Sequence, residues 1–529
     1  MDIIWLNPIF LSPNDDNGYD ISDYREIMRE FGTMEDFDRL LKEIHKREMR
    51  LVLDLVVNHT SDEHPWFEEA RKSRHNPYYN YYHWWPAEKG EPPLRLSYFD
   101  EEGNAWTYNK STDSYYLHYF SRKQPDLNWE NPEVRQEIFD MMRFWFDKGI
   151  DGFRMDSISL IAKDPSFPLI DSKKYPDIFS FYAKEPRLHL YLHEMNRQVL
   201  SKYDCMSVGE GSAVMVDDVA KFVDPAREEL NMLYHFDAAR IRNTTLPDNP
   251  ESGIDYSLIA LKKMFTEWDK AVDKGWPSIY LGNHDQPRMV SRFGSDKDEF
   301  RALSAKMLIT FLLTMRGTPY WFAGDEIGMR NIRFDRIEDY NDIDTINRYK
   351  KAKAEGKDPQ AVLDEQKETG RDNARTPFQW DRSPEAGFTA GTPWLKVNPD
   401  YTWINVADEE KDPTSILNYF KKVVSFRKEN PSLIYGSYHL LDAENPQSYT
   451  FLRKTGADTY LIMLNFSPKA AISTPGIDMS NAHVLLDNYG DRSHMAPQKD
   501  ITLRPFEAIV FQLNHPVYES FIDSLDLLE

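Results

Sequence analysis

Cysteine is almost missing from this chain: Cys205 is the single one in 529 residues. One thiol excludes an internal disulfide framework and a cysteine-based zinc site. Long apolar runs are missing as well, and none approaches the roughly 20 residues that a membrane span needs. The first residues carry no basic-then-apolar leader. Positive charge is scarce: 64 Lys and Arg face 87 Asp and Glu, a formal charge of −23. So acidic a surface repels phosphate backbones and anionic lipid, which excludes nucleic acid and membrane as expected partners. The compartment expected by default is the cytoplasm, with room left for a signal upstream of residue 1.

What is present describes a large globular protein. Hydrophobic residues make up 41% and charged residues 29%, a mixture that buries a core. At roughly 100–200 residues per domain, the length asks for about three domains, or one large barrel with additions. Aromatics reach 14%, with 13 Trp and 29 Tyr, more than cores alone require.

Short apolar runs bounded by turn residues recur at 3–6, 50–57, 150–156, 205–210, 232–236, 278–281 and 318–323. Each reads as a strand buried on both faces. Between them lie stretches with apolar residues at three- and four-residue spacing, such as 33–46 and 133–148, which read as helices. Strands alternating with helices imply parallel βαβ units. The expected fold class is therefore α/β, a (β/α)8 barrel with polar residues at the C-terminal strand ends, where such barrels do chemistry. Seven strands are counted where eight are needed, and residue 3 is already inside one. The first β/α unit is therefore expected to be missing.

Two regions interrupt the alternation. Residues 61–122 are rich in Trp, Tyr, Pro and charge, and read as a subdomain inserted after the third barrel strand. Its Tyr78–Trp85 stretch has two readings, a subdomain core or a platform for sugar rings. Residues 435–513 alternate short strands with turns, an antiparallel β-domain. The expected organisation is a barrel from 1–60 and 123–434, the insertion at 61–122, the β-domain at 435–513 and a tail at 514–529. Charged helices at 349–355 and 359–369 form an excursion after the last barrel strand.

The strand ends carry the chemistry. Asp156 ends its strand and Arg154, two residues earlier, lies on the same face. A guanidinium beside a carboxylate keeps it ionised, which suits a nucleophile. Glu210 ends the next strand after Val208-Gly209, an apolar setting that would raise its pKa and suit a general acid. Asp285 follows Asn283-His284, and Asp54, Asn58 and His59 add a further polar group. A single strand-end Asp is commonly a helix cap. Several such carboxylates together, with two histidines, suit glycosidic cleavage through an oxocarbenium-like transition state. Metal binding competes at Asp/His clusters of barrel mouths, but no H-x-H or H-E-x-x-H spacing occurs.

These segments resemble the α-amylase superfamily of glycoside hydrolases (family 13), in its oligo-1,6-glucosidase and α-glucosidase branch. Asp54-Leu55-Val56-Val57-Asn58-His59 resembles the first conserved region and Gly152-Phe153-Arg154-Met155-Asp156 the second. Glu210 fits the third, and Asn283-His284-Asp285-Gln286-Pro287-Arg288 the fourth. Branch-specific segments are Ser12–Asp20, Gln124–Trp129 and Arg371–Trp380.

The resemblance implies a retaining exo-α-glucosidase acting on short gluco-oligosaccharides such as isomaltose, panose, maltose or sucrose. Asp156 would be the nucleophile, Glu210 the acid and base, and Asp285 the transition-state stabiliser. His59, His284 and Arg154 would assist. Asp16 and Arg371 would grip the 4-hydroxyl of the terminal glucose, Tyr19 would stack on the ring, and Phe120 and Gln124 would line the rim. Arg375, in the same segment as Arg371, completes the substrate-binding set. No cofactor and no metal ligand is implied, because the family's Ca²⁺ loop belongs to the stretch before residue 1. The partners implied are the small oligosaccharide and at most a weak homo-oligomer. Ser157, directly after the nucleophile, departs from the family: Val there accompanies α-1,6 preference, Ala or Thr α-1,4 preference. Serine leans toward α-1,4 or α-1,2 linkages. Alternatives are a sucrose isomerase or transglucosylase, whose Arg-rich loop aligns with Arg240-Ile241-Arg242-Asn243-Thr244, and a non-catalytic or truncated, inactive relative.

Overall fold

The computed structural model describes residues 1–99, 103–456, 458–479, 482–492 and 499–513; the tail at 514–529 lies outside them. The chain falls into two compact units. One comprises Met1–His235, Ala271–Trp276 and Ile346–Lys357, the other Phe236–Lys270, Pro277–Thr345 and Asp358–Glu529. This division does not follow the boundaries drawn from composition.

The first unit is built on a five-stranded parallel sheet whose strands neighbour one another in chain order: Ile3–Leu6, Arg50–Val56, Gly152–Asp156, Met206–Glu210 and Met232–Tyr234. Beyond Arg50, every residue of the second strand is buried, and so is all of the third. Both faces are covered, which is why these strands are continuous apolar runs. The register sets Asp54 opposite Arg154 and Val56 opposite Asp156. Gly152 is required by that pairing, because a Cβ there would stand 2.2 Å from the Met206 carbonyl oxygen.

The helices start and stop where local chemistry directs. Met34–Lys46 follows Thr33, which forms a capping box with Asp36, and buries Phe37, Leu41 and Ile44. Pro132–Lys148 has Asn131 as its cap and ends at Gly149, in the left-handed region at φ 105°. The insertion forms a three-stranded antiparallel sheet of Trp84–Pro86, Ser114–Leu117 and Trp106–Asn109. Tyr81 and Tyr82 are buried there, and Phe67 and Tyr79 stack on Trp84. Of the two readings of 78–85, core packing describes these rings.

In the second unit, Ser278–Ile279 pairs in parallel with Thr318–Pro319. Both strands are shorter than expected, two residues each. The helix Arg301–Thr314 is buried on almost every side. The C-terminal antiparallel sheet has the order Ser437–Leu441, Ser448–Thr455, Asp458–Asn465, Ala508–Leu513, His483–Asp487. Leu452, Leu461, Met463, Ile509 and Phe511 form its core. The excursion helices are Ile343–Ala354, which begins earlier than expected, and Pro359–Thr369.

All seven expected parallel strands occur, five in one sheet and two in the other. Their number is nevertheless a poor guide to how many β/α units exist. Two of them are only two residues long, and a paired strand at Phe10–Leu11 with Asp23–Ile27 went unforeseen. Runs that short leave no periodic signature.

Candidate active site

Within the first unit, the candidate residues gather around one guanidinium. Arg154 is fully buried, and its Nη1 donates to Asp54 Oδ1 and to Asp156 Oδ1, each at 2.8 Å. Its Nη2 donates to Glu210, and its Nε to the Tyr234 hydroxyl at 2.7 Å. One cation thus serves three carboxylates, brought together because they end or line neighbouring strands. Burial opposes the charge of Arg154, but Asp54, Tyr234 and Glu210 hold its pKa well above the ordinary value. Burial also drives the Asp54 carboxyl up to about 6, against the pull of Arg154. Tyr19 Oη and Trp5 Nε1 donate to the other Asp54 oxygen, at 3.0 and 3.1 Å.

Glu210 corrects one expectation. Its neighbours in sequence are apolar, but its carboxylate is met by polar groups: Arg154, the Ser212 hydroxyl at 2.7 Å and the Ser157 backbone N–H at 3.3 Å. Sequence neighbours on a strand point to opposite faces and do not describe what a side chain at the strand end meets. Ser157 itself is buried with φ at 43°.

A second strip of polar groups runs beside this cluster. His59 Nε2 donates to the Tyr19 carbonyl at 3.0 Å, and its Nδ1 accepts from Asn58 at 3.1 Å. Burial pushes the His59 imidazole down to about 3, so it is neutral at ordinary pH. Phe120 tilts against its ring at 5.0 Å. Gln124, fully buried, donates to Asp16 Oδ2 at 3.1 Å. Behind His59, the buried Lys163 ammonium donates to Asn58 Oδ1 at 2.6 Å and pairs with Asp126 at 3.0 Å.

The second unit holds the other four candidates in a cluster of opposite balance. Asp285 pairs with His284 Nε2 at 3.1 Å, and its Oδ1 accepts from Arg371 at 3.2 Å and Arg375 at 3.1 Å. Burial raises its pKa, but His284, Arg371 and Arg375 together outweigh burial and hold it well below the usual carboxylate range. Arg375 Nε also donates to the His284 carbonyl at 2.8 Å. On their other side the two arginines meet Asp342, a buried carboxylate that carries no sequence signature.

Asp342, Tyr234 and Lys163 were thus missed in the sequence. Tyr234 ends a strand, and that signal could have found it; Asp342 and Lys163 lie in irregular segments where position says nothing about partners. Among the described residues, no group of three or more His, Cys, Asp or Glu side chains is placed to hold a metal ion. No described helix is long and apolar enough to cross a membrane.

Paired carboxylates at strand ends, here sharing one guanidinium, are the equipment of glycosidic cleavage. Comparison with known proteins agrees. Residues 1–436 match the alpha amylase catalytic domain. The chain belongs to the alpha-amylase family. It is 50% identical to an oligo-1,6-glucosidase of Parageobacillus thermoglucosidasius over 527 residues, 98% of this chain and 92% of that relative. An oligo-1,6-glucosidase of Bacillus cereus is 47% identical, with 97% and 92% covered. Among solved structures, the trehalulose synthase of Pseudomonas mesoacidophila MX-45 superposes with a TM-score of 0.91 at 42% identity, covering 97% of this chain and 92% of that one.

This alpha-amylase family member is accordingly a glycoside hydrolase, and its fold class is the (β/α)8 barrel with a C-terminal antiparallel sheet domain. The expectation of a missing first β/α unit is not borne out: the solved relative superposes over 97% of this chain and 92% of its own length.

Proposed function

We propose that this exo-acting α-glucosidase works by double displacement with retention, on short gluco-oligosaccharides, α-1,6-linked ones first. The observation that carries the reading is the sharing of Arg154 between Asp156 and Glu210. Two carboxylates on the two Nη atoms of one guanidinium are close together. Retaining enzymes need about 5–5.5 Å between them, whereas inverting enzymes need about 6.5–9.5 Å to admit a water.

In this mechanism Asp156, kept ionised by Arg154, attacks the anomeric carbon from the face opposite the leaving group. Glu210 gives its proton to the departing glycosidic oxygen as that bond breaks. It then takes a proton from water, which displaces Asp156 and restores the carboxylate. Asp285, with His284 and Arg375, holds sugar hydroxyls that bind more tightly as the ring flattens. Arg371 and Asp16 grip the 4-hydroxyl of the terminal glucose, Tyr19 stacks on its ring, and His59, Gln124 and Phe120 border it. No cofactor or metal enters these steps. The chain acts in the cytoplasm, as a monomer or weak homo-oligomer.

A second reading, sucrose isomerisation, is favoured by the likeness to the trehalulose synthase. There a bound fructose, rather than water, would take the glucosyl group. Arg242, within the corresponding loop, is tied to Asp255 and to the Arg292 carbonyl instead, which supports hydrolysis.

Chromatographic product analysis after incubation with isomaltose, maltose and sucrose separately tests both. Glucose released fastest from isomaltose is the expected result, and with p-nitrophenyl α-glucoside, whose leaving group is not a sugar, the glucose first seen by NMR should be the α-anomer. β-Glucose as first product from that glucoside would exclude retention, trehalulose or isomaltulose from sucrose would establish the isomerase, and faster release from maltose or sucrose would vindicate the lean of Ser157.

A further inference from the structure

Asp342 is a carboxylate of the second unit with partners on both of its oxygens. It precedes the helix Ile343–Ala354 and is wholly buried. Its Oδ1 accepts from Arg371 Nε at 2.7 Å and pairs with Arg371 Nη2 at 2.5 Å, and Arg375 Nη1 lies 3.6 Å from the same oxygen. Its Oδ2 accepts from the Thr345 backbone N–H at 3.0 Å and hydroxyl at 2.8 Å. The backbone is fixed as well: the buried Asp372 carboxylate accepts from the N–H groups of Asn341 and Asp342, at 2.7 and 2.9 Å.

The direction of these bonds matters. Arg371 presents both Nε and Nη2 to the one oxygen Oδ1 of Asp342, so that edge of its guanidinium is held at a single point. That leaves Nη1 for Asp285 Oδ1. An arginine side chain has many rotamers, and a planar fork gripped along one edge can turn only with its anchor. The anchor cannot turn, since Thr345 and Asp372 hold it. Each charge also has a stated opposite: two arginines and His284 face Asp285 and Asp342.

We infer that Asp342 is a positioning residue, a buried counter-ion that aims Arg371 at the terminal sugar and so sets how strongly the enzyme discriminates at the 4-hydroxyl. This rests on the reading of Arg371 as the group that grips that hydroxyl. Without the anchor, Arg371 swings onto Asp285, the hydroxyl loses its partner, and substrates with and without it become more alike.

The test compares kcat/KM for p-nitrophenyl α-glucoside and its 4-deoxy analogue in the wild type, Asp342→Asn and Arg371→Lys. A site built to hydrogen-bond a hydroxyl rejects the analogue lacking it by about 10⁴-fold or more. The expected result is a discrimination ratio lowered at least about tenfold in both variants. A loss of general structural integrity would slow both substrates equally and leave the ratio alone, which would overturn the inference. A ratio lowered in Arg371→Lys but unchanged in Asp342→Asn would overturn it while sparing the reading of Arg371. An unchanged ratio in both would overturn the reading of Arg371 and this inference with it. Should Asp342→Asn fail to fold, Thr345→Val, which removes one bond to the anchor and keeps its charge, is read on the same pair of substrates. A ratio lowered about two- to threefold supports the inference, and an unchanged ratio overturns it.

Discussion

The two charged clusters are near mirror images. In the first unit one arginine, Arg154, is shared by Asp54, Asp156 and Glu210. In the second, one carboxylate, Asp285, is shared by His284, Arg371 and Arg375. Both are withdrawn from water, yet burial acts on them with opposite outcomes. Where carboxylates outnumber the cation, burial wins and Asp54 rises to about 6. Where cations outnumber the carboxylate, they win and Asp285 falls well below its usual range. The lesson is that burial does not by itself decide protonation; the local count of charges does.

The largest expected effect lies in the first cluster. Asp156→Asn should lower kcat by about 10⁴-fold or more, as loss of a covalent nucleophile does, in stopped assays with isomaltose. A loss under tenfold would remove Asp156 from the chemistry. Next comes the shared cation. Arg154→Met leaves three buried carboxylates without a counter-ion, a change worth about 3–5 kcal/mol when one partner of a buried pair is lost. Because the stranded groups then favour protonation, the variant should melt higher at pH 5 than at pH 8; a pH-independent Tm would contradict the charge-counting account.

A smaller effect separates the units by pH. Burial holds His59 and His64 at about 3, and His83 well below its ordinary value. A histidine depressed in the folded state stabilises fully above its unfolded pKa of about 6.5. That contribution is lost as pH falls toward the folded value, because the unfolded chain then binds protons that the folded one cannot, by up to about 1.4 kcal/mol per pH unit for each group. The second cluster behaves differently: Asp285 is depressed too, but as a carboxylate its contribution starts to fade only below about pH 4. Asp20 and Asp54, raised to about 6, and Asp325, raised to about 7, act in the opposite sense as pH falls, so the test is a difference: measured by calorimetry between pH 7 and 4, the Tm of His64→Asn should fall less, or rise more, than that of the wild type. The same slope in the variant would refute the assignment to His64. The smallest effect calibrates the comparison. Arg47→Ala removes an ion pair with Glu43 in which both side chains are about half exposed (58% and 47%), and no measurable shift of Tm is expected, since water already screens such pairs.

Much of this was legible in the residues. The apolar runs ending in Asp156 and Glu210 are strands because both faces of a parallel sheet are covered, and the buried pattern of Arg50–Val56 and Gly152–Asp156 agrees. Thr33 and Asn131 mark helix starts through their side-chain caps. Less legible were the two-residue strands Ser278–Ile279 and Thr318–Pro319, too short for any period, and the polar surroundings of Glu210, whose sequence neighbours are apolar.

By itself, then, the sequence determined the family, the order of strands and helices and the identity of the candidate carboxylates, because these rest on residue type and short spacing. Tertiary structure alone decided which charges meet. Arg154 and Asp54 are 100 positions apart, and Arg371 and Asp285 are 86. Asp342 anchors Arg371 from 29 positions away. Protonation, orientation and selectivity follow from such encounters. Their strength depends on burial and on the number of partners, and both exist only once the chain has folded.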